Sequence, residues 1–316
     1  MKKLGAVLCL IVCISCKTSV DSQVKKNEIS INQIKQDVEF LTSDELQGRN
    51  TGTNGIETAA RYIENVFTKN NIKPYFETYR DTFNVKDIVG YNVVGLIEGN
   101  DPKLKNEFVI IGAHYDHIGF KTKVDNDSIA NGANDNAAGT SAVLALAEYL
   151  AIEKMNRRSI IIALFSAEEM GLLGSRHLAE KLKEKHLNLY TMLNFEMIGV
   201  PFKDRDYEAF VTGYDMTNMA QVMNASIGSN YIGRSEVAIK YNLFKQSDNY
   251  AFYKIFKVPC QTVSSCDLSN YDYYHHVDDE ADKLDYEHMT KLINKMIPAI
   301  EHICNSETKE IKMTHD

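Results

Sequence analysis

The sequence is short of cysteine, of basic charge and of long apolar runs, and each shortage closes off a class of protein. Six cysteines in 316 residues are too few and too scattered for a disulfide scaffold. Lys and Arg number 35 against 43 Asp and Glu, a net charge of −8. With no basic stripe along the chain, nucleic acid is excluded as a partner. The apolar run at residues 4–15 is too short to span a bilayer. No internal repeat is visible, and no Pro/Gly-rich linker interrupts the chain after residue 28, so a single domain is expected. The remaining composition, 44% hydrophobic and 25% charged, is that of an ordinary globular α/β chain.

The N-terminus reads as a targeting segment. Lys2 and Lys3 precede the apolar run, which ends at Ile14-Ser15-Cys16. This resembles a bacterial lipoprotein signal with Cys16 as the lipidated residue, although Cys13 stands where Leu is usual. The resemblance implies removal of residues 1–15, a polar tether over 16–27, attachment to a membrane through Cys16 and a place in the cell envelope. Cleavage without lipidation is the plainer alternative. Cys260, Cys266 and Cys304 would then sit in an oxidising compartment, where a Cys260–Cys266 bridge is open.

The chain is organised around FSAEEMGLLGS at 165–175. An apolar, β-branched run at 158–165 feeds a helical pattern at 172–185, the mark of a parallel sheet covered on both faces. Glu168 and Glu169 fall at the carboxyl end of that strand, where open α/β sheets bind ligands. A solvated helix N-terminus would also favour acids there. Further strands are expected at 75–83, 91–98, 108–113, 190–195, 208–212 and 258–263. Helices are expected at 29–41, 56–67, 140–154, 215–227, 247–256 and 286–304. Residues 121–132 read as a loop and 305–316 as a flexible tail.

Several strands end in metal-competent side chains: His114 after 108–113, Glu168 and Glu169 after 160–165, Glu196 after 190–195 and the His275 region after 258–263. In a mostly parallel sheet these ends share one edge, and Asp135, preceding a helix packed on the sheet, joins them. Imidazole and carboxylate donors without thiolate suit zinc, or cobalt or manganese. Five donors exceed the need of one tetrahedral ion with an open position; they suit two ions about 3.5–4 Å apart. A lone histidine at a strand end is usually structural. In His114-Tyr115-Asp116, however, Asp116 shares a face with His114 and is placed to orient its ring.

AHYDH, GANDNAAGT, FSAEEMGLLGS, LNFEMIG and YHHVDDEADKLD occur in the order and approximate spacing of the M28 metallopeptidases, the co-catalytic dizinc aminopeptidase family. The likeness runs over roughly 28–304 and includes an LQGR segment. It implies a single three-layer α/β/α sandwich with a mixed, mostly parallel, twisted sheet. It makes His114 and Glu196 ligands of one Zn2+, His275 and Glu169 ligands of a second, and Asp135 the bridge. Glu168 becomes the general base acting on a metal-bridging water, with Asp116 the partner of His114. The substrates implied are peptides with a free N-terminus.

Glu196 and Asn134 stand where many members of that family have Asp. His276, next to His275, is the alternative ligand, and His117 reads as a bystander near the mouth. The rival functions are a glutaminyl cyclase-like single-zinc acyltransferase, a carboxypeptidase on the same scaffold and a non-catalytic peptide-binding lipoprotein.

Overall fold

The computed structural model describes residues 28–314. The signal segment, Cys16 and the tether lie outside the described residues. The apolar runs form the middle of the sheet. They are β4 (Phe108–His114), β7 (Ser159–Phe165), β8 (Leu189–Phe195) and β11 (Cys260–Ser264), running mutually parallel in the order β7-β4-β8-β11. Every residue of β7, β8 and β11 is buried. Their side chains alternate between two cores. Val109, Ile111, Ile160, Ile162 and Leu164 enter one; Ile110, Ile161, Ala163 and Phe165 enter the other. Truncating one such side chain, Phe165 for example, would cost about 3–5 kcal/mol.

Outside β7 the sheet turns antiparallel through β3 (Ile88–Ile97), which also pairs with β1 (Lys73–Pro74) and β2 (Arg80–Val85). Beyond β11, β9 (Ala209–Val211) joins antiparallel and carries β10 (Ile232–Gly233). The result is the mixed, mostly parallel sheet expected. The first core is covered by α1 (Ile31–Leu41), α2 (Asn54–Lys69), α3 (Ala138–Glu153), α5 (Met219–Ile227) and α8 (Tyr286–Asn305). The second lies beneath α4 (Leu173–Glu184) and α7 (Asn249–Phe256); a short α6 (Glu236–Lys240) lies outside both. Helix α3 is apolar all round, with thirteen of its sixteen residues buried. A Cβ at Gly139 would sit 2.3 Å from the Phe195 carbonyl oxygen, so its first turn approaches β8 only as glycine.

Two expectations are corrected. Residues expected as a loop contain a hairpin, β5 (Gly119–Val124) and β6 (Asp127–Ala130), whose strands pair only with each other. Their exposed faces carry no apolar alternation to read. The stretch expected to be a flexible tail packs as far as residue 314: Ile311 is buried, its N–H donates to the Tyr190 hydroxyl, and Met313 bridges to Thr217. Cys260, Cys266 and Cys304 are buried free thiols.

Candidate metal centre

Strand β4 is flanked by β7, which follows it in the sheet's chain order, and by β8, which follows β7, so the chain switches direction around it. At that switch the strand ends deliver their polar residues. His114 closes β4. A tight turn at 167–172, with Ala167 and Leu172 at positive φ, follows β7 and carries Glu168 and Glu169 ahead of α4. They are therefore not a solvated helix terminus; Glu169 is only 10% exposed. Glu196 follows β8. Asp135 lies in an irregular turn, Ala133–Ala137, that leads into α3; its peptide bond to Asn136 is cis.

These side chains converge. His114 Nε2 lies 3.3 Å from Asp135 Oδ1, while His275 Nε2 lies 3.2 Å from Asp135 Oδ2 and 3.0 Å from Glu169 Oε2. Glu196 lines the same cavity as Asp135, Glu168 and Glu169. His276 points elsewhere, its Nδ1 accepting from the Asp278 N–H at 3.1 Å. His117 departs from the sequence-based expectation. It is buried rather than at the mouth, with Nδ1 2.9 Å from Glu169 Oε1 and 3.8 Å from Asp135 Oδ2. The ligand atoms of His117, Asp135 and Glu169 all fall within 4.8 Å of one another.

Asp116 has a different set of contacts from those expected. Its carboxylate lies 3.8 Å from His114 Nδ1, which faces the Asp116 backbone carbonyl at 3.2 Å instead. The carboxylate accepts the N–H groups of Glu168 and Glu169, at 3.2 and 3.4 Å, and the Thr51 hydroxyl at 3.3 Å. Asp116 thus holds the turn that presents the two glutamates. Asp279 does the same for the Asp135 turn, accepting from the Asn134 and Asp135 N–H groups at 2.8 and 3.0 Å. Asn134 and Asn136 tie that turn to the Glu196 loop through Gly199 and Met197. Arg49, from the LQGR segment and fully buried, donates to the carbonyls of Leu41, Tyr115, Asn131 and Gly132. It binds the HYDH and ANDN loops to each other.

Burial pushes the Glu168 carboxyl well above the usual range, and the neighbouring charges of Glu196 and Asp248 add to this. Burial likewise raises Glu196 and Asp116 to about 7. For His114, burial pulls downward, but the charges of Glu168, Asp135 and Glu196 outweigh it and the ring sits well above its ordinary range. Asp135 is also opposed by burial, yet His114, His275 and His117 hold it well below the usual range. Asp248 went unrecognised in the sequence, where Ser247-Asp248-Asn249 looks like an ordinary helix start. It is fully buried at the start of α7, and burial raises it to about 6.

The donor set fits a bound cation. Nε2 of His114, both ring nitrogens of His117, Oε1 of Glu169, Oε2 of Glu196 and Nε2 of His275 are buried and have no hydrogen-bond partner. Leaving one such group unsatisfied costs roughly 1–3 kcal/mol, so a cluster of them at one point calls for a shared partner. Zinc bonds of ~2.0–2.2 Å set tetrahedral donors about 3.3–3.6 Å apart, close to the spacings across Asp135 and Glu169.

The model of peptidase family M28 matches residues 92–300, which hold all five ligands expected from the sequence and Glu168. Leucine aminopeptidase 2 of Trichophyton equinum is 33% identical over 132 residues, 41% of this chain and 24% of its own length. The chain thus spans about a quarter of the length of the curated relatives it first matches. Among solved structures, the LapA aminopeptidase of Legionella pneumophila superposes with a TM-score of 0.69 at 22% identity, over 88% of this chain and 73% of its own. A glutaminyl cyclase of Porphyromonas gingivalis gives the same score at 14% identity, over 87% and 99%, a likeness of fold alone. Carrying this fold, these motifs in this order and the family match over most of its length, the chain belongs to peptidase family M28.

Proposed function

We propose that the protein is a zinc-dependent aminopeptidase that removes N-terminal residues from peptides. The observation that carries this is the meeting of His114 and His275 on Asp135, with Glu169 on His275, beside a cavity that Asp135, Glu169 and Glu196 line together with a further carboxylate, Glu168. His114 and Glu196 would hold one ion and His275 and Glu169 the other, with Asp135 between them. Zinc bound there supplies Lewis acidity to a peptide carbonyl and lowers the pKa of a water.

Glu168 performs the proton transfers. Its burial and its acidic neighbours give the carboxylate a strong affinity for a proton, which suits it to take one from the attacking water and pass it to the departing amine. Asp116 keeps the glutamate turn in place by accepting both of its N–H groups. The acidic edge of the cavity offers a place for the substrate's free α-ammonium. The Lys2–Cys16 segment supports an anchored, envelope-facing location.

A panel of peptides with free and acetylated N-termini, read together with bound zinc, tests this. Free peptides are expected to be cleaved from the N-terminus and blocked ones left intact; cleavage of both alike would overturn exopeptidase action. The glutaminyl cyclase resemblance is one of fold, and cyclisation of an N-terminal Gln peptide without hydrolysis would favour that chemistry instead.

A further inference from the structure

The cavity that holds the carboxylates is not uniformly acidic. Its volume is about 530 Å3, within the ~300–1,000 Å3 typical of small-ligand sites. Asp135, Glu168, Glu169 and Glu196 line it, and so do Arg176 and Lys245. Arg176 sits on the first turns of α4, just beyond the Glu168–Glu169 turn. Lys245 lies in the segment between α6 and α7.

Arg176 stands apart from the other arginines. The described residues include eight. Arg49, Arg61, Arg80, Arg157, Arg158, Arg205 and Arg234 each bond a carboxylate or a carbonyl. Arg176 alone has no side-chain partner among the described residues, and Lys245 has none either. A chain of net charge −8 has carboxylates to spare. Both residues are exposed and line the same cavity, so their open cationic heads are accessible to a ligand there.

Resting on the aminopeptidase assignment above, we propose that the substrate carries a carboxylate which Arg176 and Lys245 receive, while its ammonium and scissile carbonyl lie at the acidic end. That carboxylate is either an acidic side chain or the free C-terminus of a short peptide; both present the same planar anion to the guanidinium fork. Apolar wall residues of the same cavity, such as Met197, Phe210 and Leu268, suit the substrate's carbon skeleton. The cavity is bipolar, and its ligand is a small zwitterion.

Binding is measured by calorimetry on zinc-loaded Glu168→Ala protein, with Leu-Gly-amide as the neutral reference. The probes are Leu-Gly, Leu-Glu-amide and Glu-Gly-amide, which place the carboxylate at the C-terminus, the second side chain and the first. At least one is expected to bind about tenfold tighter than the reference, and to lose that advantage when Arg176→Ala or Lys245→Ala is added. The winning probe identifies the source of the carboxylate. Equal affinity for all four, or an advantage that survives in both added variants, would overturn the inference. Failure of the peptidase assignment would appear separately, as wild-type protein that cleaves none of the four while the binding preference stands.

Discussion

The two ends of the central strands are both polar and both buried, yet they are finished in opposite ways. At the amino end of β7, Arg158 donates to Glu107 Oε2 at 2.8 Å and to the carbonyls of Ile303 and Ser306 at 3.1 and 2.7 Å. Only its Nη2 lacks an acceptor, and the guanidinium lies 4.9 Å from the Tyr190 ring. Asn156 and Ser159 beside it bond the Arg158 and Lys105 carbonyls. At the carboxyl end Asn134 bonds through Oδ1 while its Nδ2 lacks a partner, and Arg49, Asp116, Asp279 and Asn136 all have partners. The groups they support do not: His114, His117, Glu169, Glu196 and His275 all keep orphaned atoms. One end is closed by the chain itself; the other is built to be closed by something else.

The strongest way to break this contrast is Asp135→Ala. It removes the carboxylate that both His114 and His275 face, and should cost bound zinc and turnover together; retained zinc would mean that the two imidazoles do not share a site through it. Arg158→Ala probes the opposite end. Leaving Glu107 and two carbonyls without their buried donor should cost about 3–5 kcal/mol in denaturant unfolding, with zinc per folded chain unchanged. A loss of zinc there would show that the two ends are coupled.

A smaller effect sharpens the contrast through pH. In metal-free protein burial raises Glu196 from 4.5 to about 7, so the folded state holds that proton more tightly than the unfolded chain does. The resulting stability, at most about 3 kcal/mol, is fully present below pH 4.5 and lost as pH rises through about 7. Zinc requires the ionised donors, so its stabilisation should grow across the same window and reverse the trend. Melting temperatures of metal-free and zinc-loaded protein between pH 5 and 8 would show the two slopes; parallel slopes would remove Glu196 from the donor set.

Part of this carboxyl end is legible in the sequence: His114, Glu168, Glu169 and Glu196 each follow an apolar run whose length and composition mark a strand end. Asp135 and His275 sit in turns that no such run announces. His117 is not legible in this way: one position past Asp116, it looks like part of an outgoing loop. The Arg49 clamp and the Gly132–Asp135 turn bend that loop back over Glu169. Asp248 was missed because a buried acid at a helix start and an exposed capping one have the same local sequence. The β5–β6 hairpin was missed because neither strand buries a face. For His117 the deciding contact is with a segment far away in the chain, and no local period records it.

Counting zinc in purified wild-type protein and in Glu168→Ala, alongside their turnover of a free dipeptide, tests the central claim most directly. Two ions per chain in both, with turnover in the variant lower by about 10²–10⁴-fold, is the expected result. A single ion per chain, or a Glu168→Ala protein that turns over near the wild-type rate, would contradict it.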